Sequence, residues 1–454
     1  MKKIITHVVI IFIAIELLNS CKKEFDSQSW NVAPNSNFDL THGHLQQTKT
    51  YSSEVVFKWM DMQLYLFRRN PTPILGLPPD RYYTYSAIAL YESVVRGMPA
   101  YRTLSGQLTD MPDMPQTQHG LAYYWPACGN AALAAMTRSF LPNTTVANKA
   151  SIDSLENALN NAYQQQTDNA EFQRSVDFGK AVAQVVFNWS TSDGFSNANA
   201  PYVPPVGPGL WVATPPAFAP AFAPYWGQGR LMVQHSLDGT EPQAPPVYSE
   251  DPSSDYYKMV KQVYDISQTL TPDQIATALY YRDNPGFGGG HYLSLIKEVL
   301  EKENKNLDFS AYVFAKASIS IFDGTIGCWQ QKYKYNQQRP ISYIRGVLGY
   351  TTWNPVFSTP NFPDFPSGHS TGAGTFAEVM EGLLGYHYHF IDHTYDYLGM
   401  APRSFSSFYD LTQEVSDARV FAGIHNYISC NRAVLQGRKI AKNINRRLKF
   451  FKDN

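Results

Sequence analysis

The chain has 454 residues, of which 44 % are hydrophobic and 17 % charged, and its net charge is −1. That balance excludes an intrinsically disordered chain, which lacks the apolar surface to fold. It also lacks the basic excess with which nucleic-acid binders neutralise phosphates. Four cysteines exclude a disulfide scaffold, and 30 Tyr with 26 Phe supply ample material for a large core.

Residues 1–20 read as a signal peptide. Lys2 and Lys3 precede an apolar run from Ile4 to Leu18, interrupted by Thr6, His7 and Glu16. The run is too short and too interrupted for a stable membrane span. Leu18-Asn19-Ser20-Cys21 looks like a bacterial lipobox, so Cys21 is the expected lipidation site. The expectation is an exported protein held at the bacterial outer membrane by a lipid anchor only, with periplasmic or surface face open. Residues 21–50 are polar and read as a tether. Of the thiols that follow, Cys128, Cys328 and Cys430, at most one disulfide can form; Cys328 with Cys430 is the pairing considered.

From Ser52 the spacing of apolar residues turns helical, with Ser53 as the candidate cap. Residues 51–200 are expected to form an N-terminal helical bundle, with helices near 53–70, 82–96, 122–140, 151–165 and 171–189. In the last, Phe172, Val176, Gly179, Val182, Val186 and Trp189 recur at spacings of three and four. Residues 201–250 form a Pro-rich ordered connector. Eleven of the 30 prolines lie between 201 and 246, which forbids continuous helix, while Trp211, Phe218, Phe222, Tyr225 and Trp226 argue against a free linker. Residues 251–454 form a C-terminal helical bundle, with helices at 253–269, 272–281, 292–302 and 308–335. The fold class is therefore all-α, two packed helical bundles with a Pro-rich irregular segment between them.

Three motifs in the C-terminal bundle converge on one anion. Lys332 continues a stripe of Ala311, Ala315, Ser318, Phe322, Ile326 and Trp329. Arg339 follows seven residues later, two turns on, with Pro340 stopping the helix. Pro366-Ser367-Gly368-His369 reads as a cap and helix start whose free N–H groups attract anions. With this composition the tetrapeptide arises by chance roughly 0.003 times per chain, so it is the most specific signal. Arg419 and His425 lie in an apolar stretch, and a buried Arg needs an anionic partner. Together these supply Lys332, Arg339 and Arg419 as cations, Ser367 and the Gly368 amide as neutral donors, and His369 and His425 as imidazoles. The economical target is an oxyanion such as phosphate or vanadate, with one His attacking or ligating and the other serving as acid or base.

These residues resemble the superfamily that joins vanadium-dependent haloperoxidases to type-2 phosphatidic acid phosphatases, across about residues 329–440. Likeness to the soluble haloperoxidase branch extends to Trp329 three before Lys332, to residues 359–365, and to residues 215–220 and 224–227. The resemblance implies two four-helix bundles. It also implies that Lys332, Arg339, Ser367, Gly368 and Arg419 hold vanadate oxygens, that His425 bonds vanadium, and that His369 is the acid/base. Its activity would be oxidation of halide by hydrogen peroxide. The alternative is an acid phosphatase that hydrolyses phosphate esters through His425 in the same pocket, with no cofactor. A non-catalytic anion binder is a third reading. Oligomeric state is open.

Phe362 stands where that branch places Phe in chloride-oxidising members. Trp329, Phe362 and Asp283 are candidates for lining or supporting the pocket; Asp283 would pair an active-site Arg, or simply mark a helix-end turn. His291, after three glycines, reads as a loop residue. The family usually has Asp four residues after the last His, where this chain has Ser429, which implies a less well-oriented His425. Ala418 replaces the usual Ser before Arg419.

Overall fold

The computed structural model describes residues 46–69, 79–282 and 290–452. The signal segment, Cys21, most of the tether and Asp283 lie outside the described residues. Among those described, the chain forms thirteen α-helices and one two-stranded sheet, the all-α fold that the helical spacing predicts. No described helix is long and apolar enough to cross a membrane.

The first half holds α1 (Glu54–Arg69), α2 (Pro79–Val94), α3 (Trp125–Phe140), α4 (Val146–Gln164) and α5 (Asn169–Ser190). Helix α4 starts five residues before the expected position, because the Thr145 side chain accepts from Asn148 N and caps it. Asp168 caps α5 in the same way through Glu171 N. The last residues of the expected tether already belong to the body. Trp125 Nε1 donates to the Gln46 carbonyl at 2.8 Å, and Thr48 Oγ1 donates to the Val94 carbonyl at 2.8 Å.

The second half holds α6 (Asp255–Ser267), α7 (Pro272–Tyr280), α8 (His291–Glu303), α9 (Leu307–Tyr335), α10 (Pro340–Gly346), α11 (Gly368–Leu384), α12 (Phe408–Phe421) and α13 (Tyr427–Arg447). Strands β1 (Phe390–Asp392) and β2 (Arg403–Phe405) pair antiparallel, with Phe390 opposite Phe405. His291 is not a loop residue. It opens α8, is buried, and sits 2.7 Å from Asp392 through Nε2. All three described cysteines are free and buried, so the Cys328–Cys430 pairing does not form.

Helix α9 is buried on nearly every side, as its weak polar face requires. It packs on α2 from the first half and on α11 and α13 from the second, and one apolar core runs through both. Residues 201–250 contain no α-helix and lie against α9. Buried Asp323 on α9 holds them there, accepting from Met232 N at 2.6 Å, Val233 N at 3.1 Å and Ser236 Oγ at 2.7 Å. Burial pushes its carboxyl up to about 7, although the three donors oppose that shift.

Helices α11 and α13 meet backbone to backbone. A Cβ on Gly374 would lie 2.3 Å from the Val434 carbonyl oxygen, and one on Gly437 would lie 2.1 Å from that of Thr371. Neither distance is tolerable for a side-chain carbon, so glycine permits this approach. The contact fixes the two helix starts that carry the motifs.

Candidate active site

The first motif is split between two helices. Helix α9 ends at Tyr335, with Asn336 in the left-handed conformation as its cap at φ 44°. Arg339 is therefore not two turns along α9. It is the extended N-cap residue of α10, and Pro340 opens that helix rather than stopping the previous one. Ile341, Tyr343 and Ile344 of α10 pack with Trp353 and with α6, which anchors Arg339 from outside the main core.

Lys332 is fully buried and donates to the Pro363 and Asp364 carbonyls at 2.8 and 2.9 Å. Burial lowers its ammonium to about 7. Arg339 is equally buried. Its Nε donates to the Phe362 carbonyl at 2.7 Å, and Nη1 reaches the Ile424 carbonyl at 2.9 Å and His425 Nε2 at 3.1 Å. Burial lowers its guanidinium to about 10. Arg339 Nη2 is buried and meets no partner among the described residues.

The second motif behaves as its sequence predicts. Ser367 caps α11, accepting from Ser370 N, and is itself held by a bond from its own N–H to the Ser429 carbonyl at 3.2 Å. Gly368 and His369 form the first turn and are partly exposed. A Cβ at Gly368 would come within 3.4 Å of Trp329 and 4.0 Å of Lys332 Cε, so this glycine keeps the space before the lysine open. Tyr292 Oη donates to the His369 carbonyl at 2.9 Å and steadies that turn.

The third motif lies where α12 turns into α13. Arg419 is buried at the end of α12 and donates to the Tyr281 carbonyl. His425 is 1 % exposed and directly precedes Asn426, the cap of α13. Its imidazole is held well below the ordinary range, first by burial and then by the charges of Arg339, Lys332 and Arg419. Both effects favour its neutral form.

One residue escapes the motif reading. Asp364, 1 % exposed, bonds His425 Nδ1 through Oδ1. It also accepts from Asn426 Nδ2 at 2.8 Å and lies 4.0 Å from Arg339 Nη1. Ser429, in place of the usual Asp, points its hydroxyl at the same group, 3.4 Å from Asp364 Oδ1 and 3.3 Å from His425 Nδ1. Burial raises the Asp364 carboxyl to about 6, and Arg339 and Lys332 oppose that rise. The available signal was a carboxylate inside the apolar stretch Pro363-Asp364-Phe365, where a solvated role is hard to arrange.

Trp329 and Phe362 stand beside these cations. Their rings are 5.2 Å apart and both are partly exposed, and Phe362 lies 5.0 Å from Lys332 Nζ and 4.9 Å from the Arg339 guanidinium carbon. Trp329 Nε1 is buried with no partner among the described residues. The Pro-rich segment closes one edge: Phe222 N donates to the Asn361 carbonyl at 2.9 Å, and Asn361 Nδ2 donates to the Pro220 carbonyl at 2.6 Å.

The structure thus brings Lys332, Arg339, Arg419 and His369 close enough to His425 for their charges to bear on its imidazole, with Ser367 and Gly368 at the start of α11 and Gly368 beside Lys332. Among the described residues Lys332 and Arg339 together face one carboxylate, Asp364. Two buried cations against one anion, with a guanidinium N–H left over, suit an oxyanion. The chemistry of the donors fits vanadate or phosphate equally.

Comparison with known proteins agrees. Residues 312–453 match the family described as the VCPO second helical-bundle domain. The fold is similar to that of a bacterial vanadium-dependent iodoperoxidase, at 25 % identity and TM-score 0.80, covering 90 % of this chain and 99 % of that one. It is also similar to a bacterial vanadium-dependent chloroperoxidase in apo and holo forms. Identities are 13 % and 14 % and TM-scores 0.62 and 0.59, with 89 % and 90 % of this chain and 100 % and 96 % of those covered. A search among curated proteins found no match. The match over residues 312–453 and the fold shared with the bacterial iodoperoxidase support the superfamily that joins vanadium-dependent haloperoxidases to type-2 phosphatidic acid phosphatases.

Proposed function

We propose that the protein is a vanadate-dependent haloperoxidase that oxidises halide with hydrogen peroxide. The observation that carries this reading is the buried pair Lys332 and Arg339, with Arg339 Nη2 unsatisfied beside the imidazole of His425. The overall likeness to the iodoperoxidase supports it over a phosphatase.

Bound vanadate would supply a Lewis acid that activates peroxide without itself changing oxidation state. Lys332, Arg339 and Arg419 would hold its oxygens by charge-assisted bonds, with the Ser367 hydroxyl and the Gly368 N–H adding neutral donors. His425 would ligate the central atom through Nε2. His369, partly exposed, would move protons between the pocket and water. Trp329 and Phe362 would form the apolar wall against which a weakly hydrated halide sits.

The phosphatase reading keeps one specific support. His425 has its orienting carboxylate after all, in Asp364, so the Ser429 replacement does not disable it as a nucleophile.

A paired assay separates the two. The purified protein is loaded with orthovanadate, and dye halogenation is followed with peroxide and iodide, bromide or chloride. The protein without vanadate is tested on p-nitrophenyl phosphate. Vanadate-dependent halogenation, strongest with iodide as the most easily oxidised halide, is the expected result. Phosphate release without halogenation would overturn it.

We further propose that this enzyme is exported and lipid-tethered through Cys21, on the strength of Leu18-Asn19-Ser20-Cys21. Fatty-acid labelling in cells should mark the wild type and not Cys21→Ala. Equal labelling of both would reject the anchor.

A further inference from the structure

We propose that Asp364 is the positioning residue of His425, filling from elsewhere in the chain the role that Ser429, which carries no carboxylate, leaves open. Arg339 is donor-only, so His425 Nε2, 3.1 Å from its Nη1, must present a lone pair. The imidazole proton is then on Nδ1. There it meets Asp364 Oδ1, a carboxylate oxygen that accepts it. The two contacts define one tautomer from both sides of the ring, with Nε2 as the atom turned to the cations.

Asp364 itself has little freedom. Its N–H donates to the Gln337 carbonyl at 2.9 Å, its carbonyl accepts from Lys332 Nζ at 2.9 Å, and Oδ2 accepts from Asn426 Nδ2 at 2.8 Å. The Ser429 hydroxyl lies 3.3 Å from the Asp364 carbonyl and 3.4 Å from Oδ1. The same residue, in the segment that leads into α11, therefore ties α9 to the start of α13. A carboxylate orienting a ligating or nucleophilic imidazole is the arrangement that raises the ring's basicity and fixes its angle.

This inference rests on the reading of His425 as the residue that meets the anion, whether vanadate or phosphate. Its test does not depend on turnover. Protein labelled with ¹⁵N-histidine is examined at one fixed pH without added anion. Wild type should show a downfield Nδ1–H proton for His425, assigned by its loss in His425→Ala. Asp364→Ala should lose it. Orthovanadate and inorganic phosphate affinities, measured by calorimetry, should each fall by about 10–100-fold in Asp364→Ala.

Position 429 reaches the same nitrogen, so the double variant Asp364→Ala/Ser429→Asp should recover the proton signal and most of the affinity. A purely structural Asp364 would not be rescued from there. If Asp364→Ala does not fold, Asp364→Asn takes its place. A neutral acceptor makes a weaker bond, so the proton should move upfield and affinity fall several-fold. An unchanged Nδ1–H signal with unchanged anion affinity in the folded variant overturns the proposal. Absent orthovanadate binding in wild type would instead count against the haloperoxidase reading, and the proton signal would still decide Asp364.

Discussion

His425→Ala is expected to lower vanadate-dependent halogenation by at least about 10³-fold. Around His425 are the buried cations Lys332, Arg339 and Arg419 and the Ser367 hydroxyl, while the buried carboxylate of Asp364 is engaged at Nδ1 and by Asn426. His425 Nε2 is the nitrogen lone pair turned to the cations, and none of these groups supplies another. The anion should still be attracted electrostatically, so orthovanadate binding should weaken rather than vanish. Stability should fall by about 1–3 kcal/mol, the usual cost of leaving a buried polar group short of a partner; Asn426 still holds Asp364 Oδ2. Steady-state kinetics at saturating vanadate, with a melting curve as control, would check this. A folded variant that keeps about a tenth or more of the wild-type kcat would remove His425 from the proposed chemistry.

Arg339→Lys should cost about 10²-fold in kcat despite conserving charge. The guanidinium forks to the Phe362 carbonyl, the Ile424 carbonyl and His425 Nε2, and still has Nη2 to offer. A lysine ammonium cannot reach all of these from one point. Whichever carbonyl it abandons is buried, at about 1–3 kcal/mol for each unsatisfied group. Chemical denaturation and orthovanadate titration should therefore both show a loss. Arg339→Lys with wild-type kcat and stability would mean that only the positive charge matters and that the fork geometry does not.

Much of this was legible in the amino-acid sequence because two local rules dominate. Apolar spacings of three and four located α5 and α9 to within two residues, since each buries a broad face and tertiary packing agrees with local preference. Pro366-Ser367-Gly368-His369 was legible because a cap hydroxyl works on its own backbone neighbours. The sequence is silent where long-range contacts decide. Pro340 fits a helix stop and a first helical position equally; only packing of Ile341, Tyr343 and Ile344 against α6 distinguishes the two. His291 has no local helix signal because its partner, Asp392, lies 101 residues away. Asp364 carries no motif because it acts on His425, 61 residues further on, and no spacing rule links them.

The glycine contact between α11 and α13 has a consequence for affinity. With Gly374 against Val434 and Gly437 against Thr371 there is no slack for either helix to slide. Ser367 at the start of one and His425 at the start of the other are brought into register when the chain folds. Anion capture then has no helix to order and forfeits little conformational entropy, so more of the electrostatic attraction survives as binding free energy. On the proposed reading, the cradle is in place before its guest arrives.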